Sequence, residues 1–452
     1  MADHPARRAA LDTLLARQRG RVDVDGAAMA RLDPPRRKQA HDLVLGVRRN
    51  LFLLDAVLRR YLKQPVKSVP PPVREALRCG VYDLVFNERV PAAAIVSDTV
   101  ALIRRSGSLR GLVNAVLRRV ADEFEVVDME RAPTDRHHVC ARPQRIVRFE
   151  RPVLPDPDID IVKHYATRYT LTELFVGAFV HALPIDHEAL FEACSRRMPV
   201  SLRPVAGVSL DELRRRVEAA GATVIGARGG VIEIRSSGPM SGLAPLTDGS
   251  AVVQDMVAAE VAPFVDPQPG ERVLDLCAPP GGKTVHLAEL MNGEGEVVAA
   301  HLGQAHTARL RENVARLGHD GIVTLHDLGE RGAAMPEGLF DRVLVDAPCS
   351  NTGVLMKRVD ARFRVNEDEL RRLEALQREL LIRAADLVRP GGVLVYATCS
   401  IIPGENHLLT RQLIEARGTF RIDEERLRYP HRTGRDGGYM ARMVRDGMVA
   451  SS

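Results

Sequence analysis

The sequence predicts three parts: an all-α N-terminal domain, a small α+β module, and an α/β domain on a doubly wound parallel sheet. Three observations support this. Apolar residues recur at helical spacing through the first 120 residues. A short strand–helix–strand pattern follows near residues 200–234, and from Arg272 onward strand-like and helical runs alternate. With 452 residues the chain has room for two to four domains. The six Cys (79, 140, 194, 277, 349, 399) lie too far apart for a disulfide framework or a zinc site, so free thiols and no metal are expected. No apolar run reaches the ~18 residues of a membrane span, and Met1–Arg8 lacks a signal-peptide pattern. A cytoplasmic location is expected.

Helical periodicity in the N-terminal part falls over residues 10–15, 40–47, 51–62, 73–86, 92–104 and 110–120, with Pro70-Pro71-Pro72 punctuating it. The formal net charge of +5 is an average of unlike halves. Residues 1–120 hold 23 Lys+Arg against 11 Asp+Glu, whereas the remainder holds 41 against 48. A basic front on an acidic body suggests a polyanion-binding module, its Arg residues on solvated helix faces. These patterns place a helical domain at 1–125, a linker at 126–160 with prolines from Pro133 to Pro157, the α+β module at 161–262 and the α/β domain at 263–452.

Strand-like runs at 272–276, 296–300, 322–325, 342–345 and 393–397, with helical runs at 307–317 and 367–388, give the parallel sheet its order. Ligands of such sheets sit beyond the carboxyl ends of the strands. The first of these ends reads Asp275-Leu276-Cys277-Ala278-Pro279-Pro280-Gly281-Gly282-Lys283-Thr284, a tight turn opening a helix, where small residues admit a ligand close to free N–H groups. It is no P-loop, because Cys277 stands where that motif needs Gly, and it contains no G-x-G-x-x-G. A ligand with an amino-acid end and a ribose fits better. Two further strands end in Asp346-Ala347-Pro348-Cys349-Ser350 and Thr398-Cys399-Ser400, each Cys followed by Ser. A lone buried Cys is usually a small core hydrophobe; two at such strand ends point to thiol chemistry.

These three motifs together resemble the Sun (Nol/Nop) family of RNA (cytosine-5)-methyltransferases, and Leu45–Arg48 with Leu112–Leu117 resembles a NusB-like helical RNA-binding domain. The resemblance implies a Rossmann-like catalytic domain with S-adenosyl-L-methionine as methyl donor. It implies a monomer acting on RNA, 16S rRNA or a small-subunit assembly intermediate. Cys399 would be the nucleophile toward carbon 6 of cytosine, needing positive charge nearby to become a thiolate. Cys349 would assist product release, Asp346 would bond the ring edge at N3, and Lys283 would hold the geometry. Cys277, Ala278, Pro279, Pro280, Gly281, Gly282 and Lys283 would cradle the cofactor with Asp346; His301 and Asp327 would face its ribose and adenine.

The chain departs from the family at several of these places. His301 stands where an acidic residue would accept ribose hydrogen bonds, so His301→Asp is expected to tighten cofactor binding. Arg203-Pro204-Val205 keeps only the Arg of an Arg-Val-Asn, and Phe363 replaces a Trp; both fall on the expected RNA side. An alternative is a weakened or inactive RNA-binding or ribosome-assembly protein of the same fold.

Overall fold

The computed structural model describes residues 4–18, 27–104, 107–142, 145–236, 240–301, 307–329 and 334–447. The chain divides into two compact units, Met1–Ser195 and Arg196–Ser452.

The first unit begins with the expected helices, observed at Pro5–Gln18, Pro34–Arg49, Leu51–Tyr61, Pro71–Phe86, Ala92–Ala101 and Gly107–Asp122. Pro71 and Pro72 occupy the first turn of their helix, where the missing N–H costs nothing. Leucine and valine at i, i+3 and i+4, such as Val73, Ala76, Leu77, Val81 and Leu84, build one shared core. The arginines are not all on solvated faces as expected. Arg7 is buried and meets Asp83 at 2.6 Å, and Arg78 grips both oxygens of Asp55 at 2.7 Å. Part of the basic excess therefore holds helices together. Arg59 and Arg60 of that excess line a groove of about 410 Å3, together with Arg136, Lys163, Asp156 and Asp160 from further along the chain.

The segment 126–160 is not the irregular linker expected. Strands β1 (Phe124–Val127), β2 (His138–Arg142) and β3 (Arg145–Phe149) form an antiparallel sheet in the order β1-β3-β2. Its Val139, Val147 and Phe149, with Val153 and Leu154, complete the helical core. The strands are short and punctuated by proline, so their period-2 pattern is weak in the sequence. Residues 161–195 form three helices, Ile161–Tyr169, Glu173–Ala182 and His187–Ser195, and also belong to this unit. The α+β module expected from 161 thus begins only after Ser195.

In the second unit, β4 (Val200–Pro204), β5 (Thr223–Arg228), β6 (Val231–Arg235) and β7 (Ala251–Val253) form an antiparallel sheet in the order β5-β6-β4-β7, covered by the helix Leu210–Ala219. It is tied by charge to the helix Gly282–Leu290. Arg203, expected on the RNA side, is instead buried and donates to Glu289 at 2.5 Å and Gln254 at 2.7 Å.

The larger sheet has β8 (Arg272–Asp275), β9 (Glu296–His301), β10 (Val323–Asp327), β11 (Phe340–Asp346), β12 (Val388–Thr398), β13 (Phe420–Arg428) and β14 (Gly438–Arg445). Their order is β10-β9-β8-β11-β12-β14-β13, with β8 to β12 parallel and β13 and β14 antiparallel. Alternate residues feed opposite faces. Val273, Val297, Leu344 and Val395 pack under the helices Met256–Val265, Gly282–Leu290 and Thr307–Arg316. Leu274, Val298, Val343, Val345 and Tyr396 pack under Glu367–Leu387 and His407–Arg417. The strand order reverses between β8 and β11, which opens a crevice at their carboxyl ends.

Phe149 has no exposed surface and sits in the helical core, so Phe149→Ala is expected to cost about 3–5 kcal/mol in urea denaturation. A loss under about 1 kcal/mol would restore the linker assignment for 126–160.

Candidate active site

The crevice is built from five strand ends, those of β8 to β12. β8 delivers the turn Cys277–Gly282, which must reverse sharply into the helix Gly282–Leu290. Gly281 makes the bend at φ +100°, and a Cβ there would lie 2.7 Å from Leu310 Cδ1, so only glycine fits. No side chain caps this helix, leaving its first N–H groups open. A Cβ on Gly282 would meet nothing within 4 Å, consistent with open space over the turn. The Ala278 amide donates to Ala300 O at 3.0 Å, and Pro280 O accepts from Asn313 Nδ2 at 2.8 Å, which pins the turn against β9 and the helix after it.

Beneath the turn, Asp275 is buried. Thr284 donates to its Oδ2 at 2.7 Å, while Oδ1 has no side-chain partner among the described residues. Burial pushes this carboxyl up to about 6, with the nearby Asp346 charge adding to the rise and the Thr284 bond opposing it. The sequence reading passed over Asp275, although an acid ending an apolar strand before a Gly-rich turn is a visible signal.

β11 and the helix after β8 bring two expected residues together: Lys283 Nζ lies 2.6 Å from Asp346 Oδ2. Burial would lower the Lys283 ammonium, but the Asp346 carboxylate outweighs it and holds the pKa above its ordinary value. The negative charge of Cys399 as a thiolate pulls in the same direction, so the ammonium lies within electrostatic reach of that sulfur. Burial, and then Asp275 and Asp346, push Cys277 well up and keep it a thiol.

β11 and β12 deliver the two cysteines side by side. Cys349 Sγ and Cys399 Sγ are 3.2 Å apart, and Cys399 Sγ is 3.3 Å from Asn351 Oδ1. Asn351 adopts φ +61°, a left-handed conformation asparagine tolerates, and its amide donates to Cys349 O at 2.7 Å. The hydrogen bond with Cys399, then burial, push the Cys349 thiol well above its ordinary value. Cys349 is a proton-bearing thiol at neutral pH; Cys399 is partly exposed to the crevice.

The remaining pair is at β9 and β10. His301 and Asp327 are register partners, with His301 Nδ1 3.5 Å from Asp327 Oδ1 and 3.2 Å from Thr307 Oγ1. Asp327 also accepts from the Gly329 amide at 2.8 Å. The absent acid of β9 thus has a carboxylate one strand away, and a second carboxylate at 301 would face it directly. Phe363 follows Arg362, whose guanidinium is buried against backbone carbonyls of Val359 and Leu355. Among the described residues no cluster of three or more His, Cys, Asp or Glu could hold a metal ion, and no helix is long and apolar enough to cross a membrane.

Residues 262–444 match the model of 16S rRNA methyltransferase RsmB/F, and residues 4–122 match the NusB family. Over 399 residues the chain is 31% identical to the "Probable ribosomal RNA small subunit methyltransferase B" of Synechocystis sp., covering 85% of this chain and 82% of that one. The chain belongs to this methyltransferase B family. It is also 30% identical over 413 residues to the Salmonella paratyphi B ribosomal RNA small subunit methyltransferase B, covering 88% of each. Among solved structures, PH0851 has a TM-score of 0.74 at 23% identity, covering 98% of this chain and 99% of that one. A methyltransferase homolog from Pyrococcus horikoshii has a TM-score of 0.54 at 22% identity, covering 63% and 99%. Both share the fold. The fold class, a NusB domain ahead of a Rossmann-like methyltransferase domain, is therefore as the sequence indicated, and the family's methyl donor is S-adenosylmethionine.

The raised carboxyl of Asp275 carries a stability consequence. Its folded value near 6 exceeds the ordinary 3.8, so the folded state holds the extra proton between those values. Its contribution is greatest below about pH 4 and is lost as pH rises through about 6. Asp275→Asn is expected to remove that dependence, gaining about 3 kcal/mol on wild type between pH 4 and pH 7.5. Ligand-free urea titrations at both pH values check it; parallel curves for the two proteins would contradict it.

Proposed function

We propose that the chain methylates carbon 5 of a cytosine in 16S rRNA, using S-adenosylmethionine and a transient covalent bond from Cys399. The observation that carries this is the pair of sulfurs 3.2 Å apart at the ends of adjacent parallel strands, with the Lys283–Asp346 pair beside them. The donor set also fits the cofactor: the buried Asp275 Oδ1, with no side-chain partner among the described residues, suits a cationic or N–H-bearing group, and the uncapped turn Cys277–Lys283 leaves N–H groups free. His301 and Asp327 would meet the ribose and adenine. When bound, S-adenosylmethionine supplies an electrophilic methyl group.

Carbon 5 of cytosine is a weak nucleophile. Cys399, as thiolate, adds to carbon 6, opening the 5,6 double bond and making carbon 5 electron-rich. The Lys283 ammonium supplies the positive charge that favours the thiolate. Asp346, oriented by Lys283, accepts a hydrogen bond from the ring edge at N3, which takes up a proton from solvent as the thiolate adds to carbon 6. Once carbon 5 carries the methyl group its proton passes to water, the C–S bond breaks, the double bond re-forms and N3 gives its proton back to solvent. Cys349, held as a thiol, donates its S–H to the departing Cys399 sulfur.

The target base has to be single-stranded or flipped to reach this crevice. The groove at Arg59, Arg60, Arg136 and Lys163 would track phosphates, with salt-sensitive affinity. The substrate is 16S rRNA or a small-subunit assembly intermediate, bound by a cytoplasmic monomer. A purely RNA-binding role would need none of Lys283, Asp346, Cys349 and Cys399 in this geometry.

Bisulfite sequencing of rRNA from a deletion strain should show one cytosine losing methylation, restored by wild type and not by Cys399→Ala. No changed cytosine would refute the proposal. In vitro, Cys349→Ala should accumulate a protein–RNA adduct that survives denaturation, and the Cys349→Ala/Cys399→Ala double variant should form none. Equal adduct in both would remove Cys399 as the nucleophile.

A further inference from the structure

We infer that Glu405 is a positioning residue for methyl transfer: its carboxylate clamps Ser350 and Ser400, the residues after Cys349 and Cys399, and so sets the distance between the two sulfurs. This rests on the covalent reading above.

Glu405 lies in the short turn Pro403–Glu405 after β12 and has no exposed surface. Its Oε1 accepts from the Ser350 amide at 2.8 Å and from Gln377 Nε2 at 2.9 Å. Its Oε2 accepts from the Ser400 hydroxyl at 2.5 Å and from the Ser350 hydroxyl. A carboxylate has about four acceptor positions and no donor, and all four are used. One group thus grips both cysteine loops, at the residue directly following each sulfur-bearing position.

The surroundings stiffen the clamp. Gln377 also donates to Pro348 O at 2.8 Å, on the residue before Cys349. Thr352 Oγ1 lies 2.9 Å from Ser400 Oγ and accepts from the Ile401 amide at 3.0 Å. Tyr396 donates to Glu405 O at 2.8 Å. Gly353 closes the same loops, its amide donating to Cys399 O at 2.9 Å where a Cβ would collide with that oxygen.

A carboxylate is an expensive way to fasten two loops. Its donors are all neutral, no Lys or Arg pairing with it among the described residues, and a buried charge without a counter-ion costs stability that an apolar plug would not. What the carboxylate supplies is directional: four donors drawn to one point. It has an electrostatic effect as well. After the Cys399 contact and burial, the Glu405 charge adds to the rise in the Cys349 thiol and helps it keep its proton.

Glu405→Gln keeps the shape but turns one oxygen into a donor facing two hydroxyls. With full-length protein and an rRNA substrate, kcat should fall roughly 10- to 100-fold, as for a small misplacement of reacting groups. KM for S-adenosylmethionine should stay within about two-fold, since the clamp does not touch the cofactor turn. Diamide should close the Cys349–Cys399 disulfide more slowly in Glu405→Gln than in wild type, a readout of sulfur approach that general destabilisation would not slow. Ser350→Ala removes one of the four contacts, that of the hydroxyl, and should show the same pattern more weakly, which keeps the test open if Glu405→Gln does not fold. Wild-type kcat in a folded variant, or reduced kcat with an unchanged disulfide rate, overturns the clamp. Cys399→Ala run alongside separates the failures. Activity retained in Cys399→Ala defeats the covalent reading, whereas its loss beside a fully active Glu405→Gln defeats only the clamp.

Discussion

The site depends on the parallel register of β8, β11 and β12. Leu344 of β11 pairs with Asp275 of β8, and Asp346 pairs with Ala397 of β12. That register steps Asp275, Asp346 and Cys399 along the carboxyl ends of three adjacent strands, each two residues further out than the one before and each beyond the last apolar residue of its strand. A slip of one residue would move each group by about 3.3 Å and turn its side chain to the opposite face. Such a slip is blocked because both faces are buried: Val343 and Val345 belong to one helical layer and Leu344 to the other. Ordinary aliphatic packing thus holds the chemistry in place.

Within that frame, local charge matters more than total charge. The second unit lies in the acidic part of the chain, yet the Lys283 ammonium is the group nearest the reacting centre's carboxylate, and burial strengthens their attraction. The two thiols are differentiated the same way. Cys349 is buried and pushed well up, while Cys399 opens toward the crevice. Two chemically identical side chains can then do opposite jobs, one adding to the ring and one keeping a proton.

The parallel part of the catalytic sheet was legible in the sequence because β8, β9, β11 and β12 carry near-continuous aliphatic runs with helical runs between them, whereas the antiparallel β13, largely exposed and charged, and β14 were not in the expected sheet. Cys349, Cys399, Asp346 and Lys283 could be singled out as candidates because they sit in short motifs directly at strand ends, and the structure brings them together in pairs. The three strands from Phe124 to Phe149 were missed because each is only four or five residues long, carries polar positions, and is separated from the next by proline-bearing sequence. Arg203 was read as facing RNA because a lone arginine gives no sign of a partner as distant as Glu289. Asp327 was assigned to the cofactor alone, and nothing local indicates that a parallel neighbour places it beside His301. Glu405 was invisible for the same reason: its partners Ser350 and Gln377 are 55 and 28 residues away. Long-range polar contacts leave no periodic trace.

The central claim is that Cys399, and not its neighbour 3.2 Å away, forms the bond to the base. It is tested most directly with substrate RNA carrying 5-fluorocytidine, where fluorine replaces the proton that must leave carbon 5 and the adduct cannot resolve. After incubation with S-adenosylmethionine, proteolysis and mass spectrometry should find the nucleotide attached to the peptide containing Cys399. Attachment at Cys349, or no attachment to a protein that methylates the unfluorinated RNA, would contradict the account.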